Sequence, residues 1–367
     1  MNKIIMTAAF LLAFCLTFSA QTVQKPTLKP TDPTPEQEKL IKQGIALHDA
    51  KKYDEAIALY QKVLDENPDC VFALYEMALS FYAKKDHVKT VETSMRGMKY
   101  KSKELPLFYG LVANIWDDQG NPQKAIALYK DGIKMLEKEK GNEQYLSSLY
   151  FNLGVTYFRQ KDGPKAKDAL KKAVEYNYAY PSPHYLLSET FFAMRYRVPA
   201  LLAAARLMSV ENFSERTKRA SLVFREVLTG GAKKGNDSNS ITIFVDTDEP
   251  KDEGDFSGLS LILGLASAGA DIKEENKNLS EEEKFVEKVD VFIGFLASDA
   301  KKTRSTFVGK NYIPFLLEMR RRGYVKPFAY IVLANAGNEA AARWVLSDNQ
   351  KTVVEFMNWA KSYHPLK

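Results

Sequence analysis

A period of about 34 residues, held in phase five times, constrains this chain more than any other feature. Gly44, Ala78, Ala113, Gly154 and Ser188 follow one another at steps of 34, 35, 41 and 34 residues. Three positions after each stands a large apolar residue: Leu47, Phe81, Trp116, Tyr157 and Phe191. Twelve after each come Ala56, Thr90, Ala125, Ala166 and Ala200, and four beyond those Tyr60, Ser94, Tyr129, Leu170 and Ala204. A repeat unit of this length, whatever pair of elements it holds, cannot bury its apolar face alone. Neighbouring pairs have to stack, which predicts a solenoid. Small residues let two helices approach closely, and the bulky ones fill the gaps between layers. Trp116 and Tyr157 accordingly read as core.

This pattern resembles the tetratricopeptide repeat. The residues that carry the likeness are Gly44, Leu47, Tyr53, Ala56, Tyr60 and Pro68 in the first unit. In the fourth they are Tyr150, Leu153, Gly154, Tyr157, Ala166 and Ala173, while the second departs at Thr90, Ser94 and Gly97. The step of 41 residues reads as roughly two extra helical turns within Met135 to Glu143, at about 3.6 residues per turn. The likeness spans Thr34 to Ser214. It implies that the first helix of each unit lines a concave groove.

By that register the groove positions of the second unit are Phe72, Tyr75, Leu79 and Tyr82, and those of the third Leu107, Gly110, Asn114 and Asp117. The fourth gives Ser148, Phe151, Val155 and Phe158; the fifth gives Ser182, Tyr185, Glu189 and Phe192. The candidate binding residues are Phe72, Tyr75, Tyr82, Asn114, Asp117, Phe151, Phe158, Tyr185 and Phe192. An aromatic trough with a few polar groups suits an apolar peptide or an amphipathic helix of a protein partner. Lys and Arg are nearly missing from these positions, unlike the family's basic clamps for carboxylate-ended peptides. Two alternatives stay open: the trough takes a partner, or the chain's own C-terminal half covers it, since large apolar patches are rarely left bare on monomers.

The N-terminus supplies an address. Lys3 precedes an uncharged apolar run from Ile4 to Phe18, and Thr17, Ser19 and Ala20 lead to polar Gln21. That order predicts a secretory signal over residues 1–20, cleaved after Ala20 or one residue earlier, with a retained anchor as the alternative. The expected location is the periplasm or another part of a bacterial cell envelope, with secretion as a further possibility. Residues 21–35 hold Pro26, Pro30, Pro33 and Pro35 and predict an extended, semi-rigid spacer. No later segment reads as membrane-spanning. Removing the signal removes Cys15 and leaves Cys70, which reads as a buried small hydrophobe.

Beyond Ser214 the period is lost, and no family is recognised. The expectation is a capping helix and polar loop over 215–240, then a mainly helical domain over 241–367. Its helices are expected at Ser257–Gly269, Glu281–Ser298 behind a Ser280/Glu283 capping box, Phe307–Arg322, Pro327–Ala336, Glu339–Leu346 and Thr352–Tyr363. Ile241–Val245 reads as a short strand. The whole is therefore an all-α chain: a solenoid of about five pairs over 36–214 and a C-terminal helical domain with at most one or two short strands.

Candidate chemistry is thin. The net charge of +6, from 52 Lys and Arg against 46 Asp and Glu, is spread along the chain, which disfavours nucleic acid as a partner. The run Gly230–Gly235 has the wrong spacing for a phosphate loop and reads as a linker. Asp246, Asp248, Asp252 and Asp255 lack the glycine of a calcium loop, Lys251 standing in its place, and read as a solvated acidic loop. No cofactor or metal is expected. His48, His87, His184 and His364 stand in no catalytic motif, although distant residues can assemble a triad in space. The reading is an exported protein-binding scaffold, the alternative an enzyme whose site lies in the C-terminal domain.

Overall fold

The computed structural model describes residues 25–138, 140–229, 232–234, 241–243, 249–259, 278–347 and 349–365. The predicted signal and most of the helix expected at Ser257–Gly269 lie outside the described residues. Packing divides the chain into two compact units, with the boundary between Lys138 and Glu139.

The first unit contains three antiparallel helix pairs: α1 (Pro35–Asp49) with α2 (Tyr53–Glu66), α3 (Val71–Ala83) with α4 (His87–Gly97), and α5 (Leu105–Asp118) with α6 (Pro122–Leu136). Each helix packs on the next in order, and α1 also touches α3, as stacked pairs require. Thr34 opens α1 with a full capping box, its hydroxyl accepting from Gln37 N–H while the Gln37 side chain answers. The predicted phase is visible atom by atom. A Cβ on Gly44 would lie 2.5 Å from the ring of Tyr60, its partner sixteen residues on. The second unit of the period keeps Ala78 in phase and adds a second close approach: Gly97 makes room for the ring of Phe108, which a Cβ there would meet at 2.3 Å. That contact accounts for the departure at Gly97.

Seven residues after each small residue the chain turns with positive φ, at Lys51, Lys85, Gly120, Lys161 and Arg195. Only Gly120 adopts that conformation without steric cost. The four cationic residues are held there because helix packing on both sides fixes the turn.

The proline-rich segment is extended, as expected, but docked on the first unit. Thr27 and Leu28 N–H both donate to the Lys99 carbonyl (2.9 and 3.0 Å), and Lys101 N–H donates to Leu28 O (2.9 Å). Leu28 thereby makes a parallel bridge with Tyr100. Thr31 N–H donates to Asp69 O, and the Asn67 side chain donates to the carbonyls of Thr31 and Asp32. Pro26, Pro30 and Pro33 have no N–H to offer a further strand.

In the second unit α7 (Glu143–Arg159) pairs with α8 (Gly163–Tyr176), and α9 (Pro181–Ala193) with α10 (Arg197–Val210). The extra residues of the long step do not extend α6 by two turns. That helix stops at Leu136, a turn follows, and α7 begins at Glu143 as the longest repeat helix at 17 residues. Next come α11 (Glu215–Thr229) and a two-stranded antiparallel ribbon, β1 (Ala232–Lys234) against β2 (Ile241–Ile243). The predicted strand over Ile241–Val245 thus forms at its described residues.

Among the described residues six further helices follow: α12 (Glu281–Thr303), α13 (Phe307–Asn311), α14 (Ile313–Arg321), α15 (Val325–Asn335), α16 (Glu339–Leu346) and α17 (Gln350–Ser362). The Ser280/Glu283 capping box is present. The single helix expected over Phe307–Arg322 breaks at Tyr312, because Pro314 in the first turn of α14 denies the helix a donor. The C-terminal helices pack on α10 and α11. As a result, every residue of α10 from Val198 to Val210 is buried.

The centre of this core holds a charge. Arg206 is fully buried among aromatic rings, its guanidinium 4.2 Å from the Tyr178 ring and 4.9 Å from that of Phe315. It donates to the carbonyls of Ala360, in the last turn of α17, and of Tyr178. The partial negative charge of a helix C-terminus takes the place of a carboxylate. His184 lies beside it, fully buried, with Nε2 2.9 Å from Tyr178 O and Nδ1 2.9 Å from the Tyr312 hydroxyl. A carbonyl can only accept, so Nε2 carries the proton and Tyr312 donates to Nδ1. Burial, helped by the Arg206 charge, pulls the His184 pKa down to about 3 and keeps the ring neutral.

Candidate functional site

The groove residues predicted from the register fall on α3 and α5 in the first unit and on α7 and α9 in the second. The structure sorts them into those used for packing and those left to solvent. In the first unit Tyr75 is half-buried with its ring edge-on to Phe108 (5.6 Å), and Tyr82 is edge-on to His87 (6.3 Å). Asn114 accepts from the Tyr129 hydroxyl, so its amide is engaged in joining α5 to α6. Asp117 is half-buried near the end of α5. Phe72, in the first turn of α3, stays 37% exposed.

In the second unit Phe151 is edge-on to Tyr180 (5.4 Å), and Phe192 is half-buried against the large core. Tyr185 is half-buried beneath the Arg216 guanidinium at 6.0 Å. Phe158, near the end of α7, remains 38% exposed. Each unit therefore keeps one exposed phenylalanine on the predicted face, beside aromatic residues fixed by packing.

Two residues of this face are missing from the sequence-based set. Arg216 and Arg219 of α11 come to the fifth-unit positions, Arg216 donating to the Ser182 hydroxyl (2.8 Å) and Arg219 pairing with Glu189 (3.1 Å). Arg216 also pairs with Glu211. Both stand one further period of 34 residues beyond Ser182 and Tyr185, so counting once more past Ser188 finds them. The paucity of cations expected for the groove is corrected here for the second unit.

His48 Nδ1 lies 2.8 Å from the Ser80 hydroxyl, the kind of pair a nucleophile needs, but Ser80 is fully buried and out of reach of a substrate. Among the described residues no group of three His, Cys, Asp or Glu side chains is placed to hold a metal ion. Nor is any described helix long and apolar enough to cross a membrane. Cys70 is fully buried at the head of α3, and burial pushes its thiol pKa up. Of the run Gly230–Gly235, only Ala232–Lys234 is described, and it forms β1.

In the acidic stretch Asp246 and Asp248 lie outside the described residues, and Asp252 and Asp255 are exposed, as expected of a solvated loop. The stretch is nevertheless anchored, because Glu249, Asp252 and Glu253 bond to α8 and α10. Asp252 sits between Lys167 Nζ (2.5 Å) and the Tyr196 hydroxyl (2.6 Å). Burial would raise its carboxyl, but these hydrogen bonds outweigh it and hold the group below its ordinary value.

Residues 37–70 and 147–180 each match the tetratricopeptide repeat family. No curated protein matches the chain by sequence. Among solved structures, a thermophilic tetratricopeptide-repeat protein of Thermus thermophilus is similar at 18% identity and a TM-score of 0.40, over 51% of this chain and 98% of that one. PilF of Pseudomonas aeruginosa is similar at 15% identity and a TM-score of 0.46, over 52% of this chain and 83% of that one. YrrB, described as a repeat protein with an unusual peptide-binding site, is similar at 12% identity and a TM-score of 0.38, over 50% of this chain and 90% of that one.

Proposed function

We propose, from the premise that this is a tetratricopeptide-repeat protein, that it serves as an exported scaffold of a bacterial cell envelope and holds an apolar peptide or amphipathic helix of another protein. The observation that carries the reading is the pair Phe72 and Phe158, each more than a third exposed on the first-helix face of its unit. A ring in that setting gains free energy when a partner takes it out of water, whereas Tyr75 and Phe151, already packed, shape the surface around it. Export rests on the N-terminal sequence, where Lys3, the apolar run and the small residues before Gln21 have the order of a cleaved signal.

The test starts from peptides selected out of a displayed random library on the immobilised full chain. Selected sequences should share apolar anchors at helical spacing. Phe158→Ser and Phe72→Ser should each weaken the peptides bound at that unit by about tenfold or more, as loss of an interface aromatic does, with helix content unchanged. Peptides that bind the double variant as tightly as the parent would remove the groove reading. Fractionation of the producing cell, with N-terminal sequencing of the mature chain, tests export separately.

A further inference from the structure

Residues Glu249 to Phe256 are held on the outer helices of the fourth and fifth pairs in the way a bound peptide is held. Three carboxylates from this one short segment meet three different donors, two ammonium groups and a backbone N–H. Glu249 Oε1 accepts the Val198 N–H in the first turn of α10 at 3.3 Å. Asp252 takes Lys167 Nζ and the Tyr196 hydroxyl. Glu253 takes Lys171 Nζ at 2.5 Å. The lysines also have contacts outside the segment, Lys167 Nζ 4.7 Å from the Tyr196 ring and Lys171 Nζ 5.4 Å from the Phe307 ring. Phe256 follows and is buried in the core.

The fit is incomplete at Glu253. The residue is 1% exposed, yet its second carboxylate oxygen has no donor among the described residues. A half-satisfied buried carboxylate is a weak point, because the desolvation it has suffered is only partly returned. The surface beneath is complete: two oriented ammonium groups, a phenol and the N-terminal turn of a helix, all selecting negative charge.

We propose that Glu249–Phe256 is an internal ligand, and that an acidic segment of a partner protein, with carboxylates spaced like Glu249, Asp252 and Glu253, replaces it on this face of α8 and α10. The segment then acts as an autoinhibitory cover. Held in cis, it competes at an effective concentration of the order of millimolar, so micromolar acidic peptide leaves the resting chain untouched.

The experiment uses the full chain and a fluorescent peptide of sequence EPKDEGDF, the segment's own, beside a scrambled control. The variant carries Glu249→Gln, Asp252→Asn and Glu253→Gln together. Its expected behaviour is unchanged far-UV circular dichroism and peptide binding at least tenfold tighter than to the parent. That binding should weaken with salt and vanish when Lys167→Met and Lys171→Met are added. In the parent chain, amides of 249–256 should exchange at least a hundredfold faster than those of α10. A folded variant that ignores the peptide overturns the proposal, as does loss of helix content on neutralisation, which would make the segment an integral part of the core. A parent chain that runs as a dimer by exchanging this segment also overturns it, in favour of a second copy as the occupant.

Discussion

The second helices of the two units begin from the same repeat register and end in different environments. In the first unit α2 buries Ala56, Tyr60, Val63 and Leu64, a single stripe facing its neighbours, with Tyr53, Ile57 and Leu59 half-buried and its other residues exposed. In the second unit α10 is buried on every side. The register specifies only the stripe between paired helices, with Ala56 and Ala200 in equivalent places. What the other faces meet is written in the remaining residues. Those of α10 read Val-Pro-Ala-Leu-Leu-Ala-Ala-Ala with almost nothing polar, as a helix covered all round must. The exception, Arg206, marks where the C-terminal helices close over it.

The largest effect should therefore come from Arg206→Ala. The substitution removes two cation–ring contacts and the guanidinium hydrogen bonds to the carbonyls of Tyr178 and Ala360, and leaves a cavity. Together these should cost about 3–5 kcal/mol. Hydrogen exchange resolved by segment checks it: amides of α10, α15 and α17 should lose protection, while those of α1 to α6 keep theirs. Equal loss in both units would mean they fold as one cooperative body, and the contrast would fail. Arg206→Met sharpens the point, because an apolar side chain of similar length should recover much of the loss.

Acid should separate the units next. His184 has a pKa of about 3 in the fold against an ordinary 6.5, so between these values the unfolded chain binds a proton that the folded chain refuses. Stability contributed by the neutral ring is full above about pH 6.5 and falls as pH drops, by up to about 1.4 kcal/mol per pH unit. Among the described residues the first unit has no fully buried histidine, so the near-ultraviolet signal of the second should disappear first on acidification. His184→Gln keeps a donor and an acceptor and should flatten that dependence. An unchanged acid profile would show that other groups control it.

How far the sequence discloses all this follows the range of the interactions. The helix pairs are legible because Gly44 and Tyr60 are sixteen residues apart and repeat. The capping boxes at Thr34 and Ser280 are legible because each closes within three residues. The break at Tyr312 carried a local signal in Pro314, outweighed by the apolar period running through it. Arg216 and Arg219 needed only one more step of the count. The anchoring of the acidic stretch was not legible because the lysines that receive Asp252 and Glu253 lie more than 80 residues away in sequence. Arg206 is at the far limit, since Ala360 O is 154 residues off and nothing local announces it.

The smallest effect tests whether the first unit is closed by its N-terminal strap. Asn67 spans from the end of α2 to the carbonyls of Thr31 and Asp32 and to the Gln37 side chain. Asn67→Ala removes these bonds without touching the stacked stripe, at a cost of about 1 kcal/mol. The backbone bonds of Leu28 and Lys101 would remain, so release should be partial. Faster exchange at the amides of Thr27, Leu28, Thr31 and Lys101, with α3 and α5 unaffected, is the expected pattern. If protection fell throughout α1 to α6 instead, the strap would be part of what holds the three pairs together, and the first unit would prove to be sealed at its edge just as the second is sealed over α10.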